Sequence, residues 1–128
     1  GFMRIFFYVN GFRRGDGNLK VVPGSHLFRD AQVQATSDED LMTGWMKGRR
    51  HPLSGEPLKI EELEAPAGSV ALMWTHAAHA VNSRLEGSDT RWCVVYGYRN
   101  PGAASPARRI TPEFENRFEG AQDLMPLY

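Results

Sequence analysis

Apolar and polar residues alternate along this chain in short blocks bounded by glycine and proline, a pattern that belongs to strands and turns more than to helices. The run Met3 to Val9 is rich in β-branched and aromatic side chains and predicts a strand over residues 3–9. Asn10-Gly11 signals a turn, and Arg13 to Gly17 a polar loop. Leu19 to Val22 predicts a second, short strand that Pro23-Gly24 stops, and Ser25 to Ala35 has no period and reads as irregular. Leu58 to Leu63 alternates weakly, as an edge strand would, and Pro66-Ala67-Gly68 marks a turn. Ser69 to Trp74 is the clearest core strand of the second half. Arg91 to Tyr98 predicts another, with Arg91, Cys93, Val95 and Gly97 on one face and Trp92, Val94, Tyr96 and Tyr98 on the other.

Helix signals are fewer. Ser37 reads as an N-cap, with Asp38, Glu39 and Asp40 well placed in a first turn. The helix is expected to run to Lys47, end at Gly48 and present Leu41, Met42, Trp45 and Met46 for packing. Thr111 followed by Pro112 predicts a second short helix over residues 112–119. No internal repeat or low-complexity tract interrupts the pattern. The expected class is mainly β, a sandwich or barrel with one or two short helices, rather than a parallel α/β sheet.

Composition narrows the functional classes. The 128 residues are one domain's worth, and 41% apolar with 23% charged residues is the balance of an ordinary soluble domain with a core. Fifteen basic and fifteen acidic residues cancel, which argues against a protein that coats nucleic acid or an anionic membrane. No apolar stretch is long enough to span a bilayer, and no charged-then-apolar leader opens the chain. A single cysteine, Cys93, fits a reducing compartment, so the expectation is a cytoplasmic protein. Gly1-Phe2-Met3 leads straight into a strand, from which we expect that a portion of the natural protein precedes it.

Four histidines open the search for chemistry: His26, His51, His76 and His79. His76 and His79 form an H-x-x-H pair, which shares one face of a helix but falls on opposite faces of a strand. A zinc site from both is therefore disfavoured, and one cysteine excludes a zinc ribbon. Neither a G-x-S-x-G elbow nor a phosphate-binding glycine loop is present. Cys93 reads as a buried, inert thiol, and Trp45, Trp74 and Trp92 as core residues.

Two segments carry a resemblance. Asp16-Gly17-Asn18-Leu19-Lys20-Val21-Val22-Pro23-Gly24-Ser25-His26 resembles the N-G-x-L-x-V-V-P-G-S-H segment of the phytanoyl-CoA dioxygenase family. Gly68 to Trp74 followed by His79, Asn82 and Arg91 resembles that family's second signature, and the two together span residues 3 to about 99. The resemblance implies an iron(II)- and 2-oxoglutarate-dependent oxygenase on a double-stranded β-helix, a jelly-roll or cupin-like barrel, here its C-terminal part. It implies His79 as the distal histidine on iron and Arg91 as the arginine that pairs with the far carboxylate of 2-oxoglutarate. A guanidinium offers a carboxylate a two-pronged fork, which suits that role. Trp74 would pack under the site, Asn82 and Ser83 would shape the loop around it, and His26 would either approach the substrate mouth or stabilise its own turn. Arg49, Arg50 and His51 would meet an anionic substrate or form a solvated loop; the loop is the favoured reading.

The family's H-x-D motif, which supplies the other two iron ligands, has no counterpart here, since Phe28 follows His26 and Leu53 follows His51 at the acid position. The chain therefore offers one of three ligands. It is expected to be the C-terminal part of a longer oxygenase, or a short protein that kept the scaffold and lost the reaction. A small organic molecule is the expected substrate, and exposed strand edges lead to an expected homodimer or larger homo-oligomer. The alternatives are a non-enzymatic β-barrel module that binds a small carboxylate through Arg91 or serves as an interaction domain, and a cupin-like metalloprotein using His76, His79 and Glu86.

Overall fold

The computed structural model describes residues 2–28 and 33–99. Six strands make two small antiparallel sheets, accompanied by one single-turn 3-10 segment, Ser25–Leu27, and one short helix, α1, Asp38–Thr43. The strands are β1 (Phe2–Tyr8), β2 (Leu19–Val21), β3 (Glu61–Glu62), β4 (Ser69–Trp74), β5 (His79–Val81) and β6 (Cys93–Arg99). One sheet has the order β4-β1-β6 and the other β3-β2-β5, so the chain crosses between the sheets four times. The protein is mainly β, as its pattern predicts, and the described residues form two sheets rather than a closed barrel. The helix expected over 112–119 lies outside the described residues, as does part of the irregular segment 25–35.

Alternation along β1 creates the core. Register pairs Phe6 with Ala71 and Tyr8 with Ser69, so these residues share one face of the sheet. On that face Tyr8 (1% exposed), Phe12 (5%) and Leu19 (2%) form the buried cluster, with Phe6, Val21, Leu63, Ala65, Ala71 and Cys93 packed against it. The rings of Tyr8 and Phe12 lie 4.4 Å apart and tilted by 56°, an edge-biased geometry that aromatic quadrupoles favour. Leu19 and Val21 belong to the β3-β2-β5 sheet, so this cluster is where the two sheets meet. Gly11 permits the approach of Phe12 to Ala65: at φ 70° it sits where a Cβ would lie 2.5 Å from the Ala65 carbonyl oxygen.

Several expectations change on contact with the fold. Ser69–Trp74 is a strand as read, but only alternate residues are sheltered; Val70, Leu72 and Trp74 are exposed. They pair with Phe7, Ile5 and Met3 on the face opposite the core. Trp74 therefore lies on the far side of its sheet from the core face, not under it, and Trp92 is 65% exposed, so neither is a core residue. Trp45 does pack, edge-on against Phe28 with centroids 5.4 Å apart. The helix stops at Thr43 instead of Lys47, because Gly44, at φ −96° and ψ −101°, leaves the helical conformation while its N–H still completes the last turn on the Asp40 carbonyl. A series of turns then buries Met46 and leaves Met42 half exposed. The edge strand expected over 58–63 contracts to Glu61–Glu62.

Leu19 is the residue through which the second sheet enters the core. Leu19→Ala should lower stability by about 2–5 kcal/mol, the usual cost of a buried leucine with its cavity. The shift of the urea midpoint at unchanged slope measures it; a shift smaller than that of an exposed Leu53→Ala control would show that the cluster does not hold the sheets together.

Candidate functional site

The described His79 and Arg91 sit on different sheets, and local structure directs each of them. His79 opens β5, opposite Val21 in the ladder with β2, while Val81 stands opposite Leu19. Opposed residues share a face, so His79 lies on the face of its sheet that carries Leu19 and Val21. Arg91 precedes β6, and its guanidinium carbon stands 5.7 Å from the centroid of the Tyr8 ring, against the core face of the other sheet. His79 is nonetheless exposed, and it lines the cavity described below, whereas Arg91 does not.

The imidazole of His79 has a fixed proton. Its Nδ1 lies 2.7 Å from the Ala77 carbonyl oxygen, which can only accept, so Nδ1–H donates, and in the neutral ring the lone pair is then on Nε2. This is how metal-binding histidines are commonly oriented: one ring nitrogen donates to a carbonyl and the other stays open. His76 lies outside that arrangement. Strand β4 ends at Trp74, His76 falls in the turn that follows and His79 starts a new strand, so the H-x-x-H pair shares neither a strand nor a helix. The strand β5 has no counterpart among the strands the sequence pattern predicts.

Arg91 is placed by a residue that the sequence reading took for a simple turn former. The Asn10 side chain donates from Nδ2 to the Thr90 carbonyl at 2.7 Å and accepts from the Trp92 N–H at 2.8 Å. The two bonds bracket Arg91. Among the described residues Arg91 forms no ion pair. Its charge lies near Tyr8 and Cys93, and it opposes the upward shift of both. Burial is the main cause that raises the Cys93 thiol above its ordinary value, which agrees with an unreactive cysteine.

Asn18 is a second residue whose role was not legible. It is fully buried, and its amide joins three parts of the chain: Nδ2 donates to Glu62, and Oδ1 accepts from the Asn82 side chain at 3.3 Å and from the Gly15 N–H at 3.4 Å. The Asn82 N–H also donates to the Asn18 carbonyl at 2.9 Å. Asn82 therefore shapes the loop after β5, as expected, by locking onto Asn18.

The basic segment turns inward. The Arg49 guanidinium carbon stands over both the Phe28 and Trp45 rings, at 5.2 and 4.8 Å from their centroids. Arg50 donates to the Gly55 carbonyl, and His51 Nδ1 accepts from Leu53 and Ser54 N–H groups. Its ring packs on Gly24, where a Cβ would come within 2.3 Å. These contacts support the loop reading of 49–51 over an anion-binding one. His26 is exposed on the 3-10 turn.

A cavity of about 390 Å³ opens between β2, β5 and the segment leading into α1. His79, Asn82 and Ser83 contribute to its wall together with Val21, Val81 and Leu41. Lys20 and Asp38, its charged lining residues apart from His79, form an ion pair with each other that ties α1 to β2. Among the described residues no group of three His, Cys, Asp or Glu side chains could hold a metal ion. Among the described residues, therefore, Glu86 does not complete a metal site with His76 and His79.

Burial pushes the Tyr8 hydroxyl up to about 12 from its ordinary value of 10.0, with Cys93 adding to the effect and Arg91 opposing it. The folded state therefore holds the phenol proton more tightly than the unfolded chain does. The resulting stabilisation is complete below pH 10.0 and is lost as pH rises toward about 12. Urea midpoints collected from pH 9 upward should fall more steeply for the natural chain than for Tyr8→Phe; parallel curves would contradict the burial of a neutral phenol.

Comparison with family models, with curated proteins and with solved structures finds no match to this chain.

Proposed function

We propose that this chain is the C-terminal part of an iron(II)- and 2-oxoglutarate-dependent oxygenase of the phytanoyl-CoA dioxygenase type, on a double-stranded β-helix. The observation that carries the reading is the state of His79, an imidazole with Nδ1–H on the Ala77 carbonyl and Nε2 without a partner among the described residues, in the wall of the cavity between β2, β5 and the segment leading into α1. The crossing of the chain between two three-stranded antiparallel sheets supports the fold assignment. The donors among the described residues do not by themselves fit an iron site, and the remaining ligands would come from elsewhere in the protein.

What the residues do can still be stated. His79 presents one nitrogen donor on a short strand. Arg91 offers its fork to a carboxylate, with Asn10 fixing the backbone on both sides. Asn82, locked onto Asn18, holds the loop beside the cavity that would take a small organic substrate. Cys93 and Tyr8 keep the floor beneath Arg91 apolar. The exposed apolar face of the β4-β1-β6 sheet, with Phe7, Val70, Leu72 and Trp74, is consistent with a homo-oligomer.

A second reading is favoured by the incomplete donor set: a β module that binds a small carboxylate through Arg91 without chemistry. One titration separates the two. Under anaerobic conditions, iron(II) and 2-oxoglutarate added to the protein with an upstream H-x-D segment restored should give a visible charge-transfer band that His79→Ala abolishes and His76→Ala spares. Without a band, 2-oxoglutarate binding that Arg91→Ala weakens about 10–100-fold, the equivalent of one lost charge-assisted pair, identifies the carboxylate module. No binding of 2-oxoglutarate in either form would overturn both.

A further inference from the structure

Strand β5 carries His79, yet all three of its side chains are exposed, so apolar burial does not hold it. Polar groups at the two ends of β2 hold it instead. Beyond its far end, the Asn82 N–H and side chain bond to Asn18. Ahead of its near end, the Val22 N–H donates to the Ala78 carbonyl at 2.9 Å, and the Ala78 N–H donates to Ser25 Oγ at 2.8 Å. Ser25 is buried, and its own hydroxyl proton goes to the Val22 carbonyl. The hydroxyl thus donates once and accepts once, to two fixed backbone groups.

The Ala78 N–H and the Ala77 C=O belong to one planar peptide unit, in which the two groups point in opposite directions. Ser25 takes the N–H end, and His79 Nδ1–H takes the C=O end. The direction of the carbonyl, and with it the tautomer and tilt of the imidazole, follows from where Ser25 holds the N–H. We propose that Ser25 is the positioning residue of His79, acting through the Ala77–Ala78 peptide to keep the proton on Nδ1 and Nε2 open as a donor atom. The proposal rests on the reading of His79 as a ligand, and gives a physical role to a serine that the sequence offers only as part of Pro23-Gly24-Ser25-His26.

The test uses the metal-free chain. Nitrogen-proton correlation spectra of the imidazoles at a pH where they are neutral should show His79 as the Nδ1–H tautomer. Ser25→Ala should shift at least half of His79 to the Nε2–H form and speed Ala78 amide exchange about tenfold. Ser25→Thr keeps the hydroxyl and should restore the natural tautomer. Ser25→Cys keeps the side-chain shape with a weak acceptor. It should move the tautomer in the same direction as Ala, even if Ser25→Ala does not fold. An unchanged His79 tautomer in the Ala or Cys variant, with Ala78 exchange accelerated, would mean that Ser25 merely braces the turn, and the proposal fails. Because no metal is present, that failure leaves the iron assignment of His79 standing. Conversely, a shifted tautomer beside a titration that gives no His79-dependent band supports the positioning role while the oxygenase reading falls.

Discussion

A buried amide that must find all its partners inside the protein organises this structure. Asn18 has no exposed surface, and a buried polar group left unsatisfied costs roughly 1–3 kcal/mol. Its side chain and carbonyl are satisfied by Glu62 at β3, by Asn82 after β5 and by Gly15 in the loop before β2. Three segments that share little apolar surface are thus drawn to one point. With Leu19 next in sequence buried against Tyr8 and Phe12, a two-residue step joins the polar anchor to the apolar one.

The same division of labour recurs at each functional residue. Apolar packing holds the sheet, while a short polar side chain aims the group that could do chemistry. Asn10 brackets Arg91, Asn82 and Asn18 fix the loop after β5, and Ser25 takes the peptide in front of His79. These side chains are small, have few rotamers and bond to backbone, so they fix a direction at little entropic cost. The cavity beside His79 inherits its shape from this frame, with Lys20 and Asp38 pairing across from β2 to α1.

The β4-β1-β6 sheet is apolar on both faces. Phe6, Tyr8, Ala71 and Cys93 look toward the β3-β2-β5 sheet, whereas Phe7, Val70, Leu72 and Trp74 are exposed. A near-continuous apolar strand sequence such as Ile5-Phe6-Phe7-Tyr8 is what a sheet covered on both sides carries. Exposure of that outer face is the reason the tryptophans at 74 and 92 do not behave as core residues.

Period and punctuation were enough for β1, β2, β4 and β6, because alternation and glycine or proline stops act locally. The N-cap at Ser37 was equally local, and its hydroxyl does accept from Asp40. The short extent of α1 was not, because Gly44 leaves the helical conformation while Leu41, Trp45 and Met46 carry the apolar period on past it. His79 and Arg91 could be picked out by their order along the chain, but the strand that carries His79 could not. Its three residues have no burial pattern of their own, and they become a strand only by pairing with β2 some sixty residues earlier. The roles of Asn10, Asn18 and Ser25 were likewise invisible, since each bonds across a long sequence separation to backbone that tertiary folding alone brings near. Side-chain chemistry and local pattern are written in the sequence; which polar group faces which peptide is decided by how the two sheets meet at Tyr8, Phe12 and Leu19.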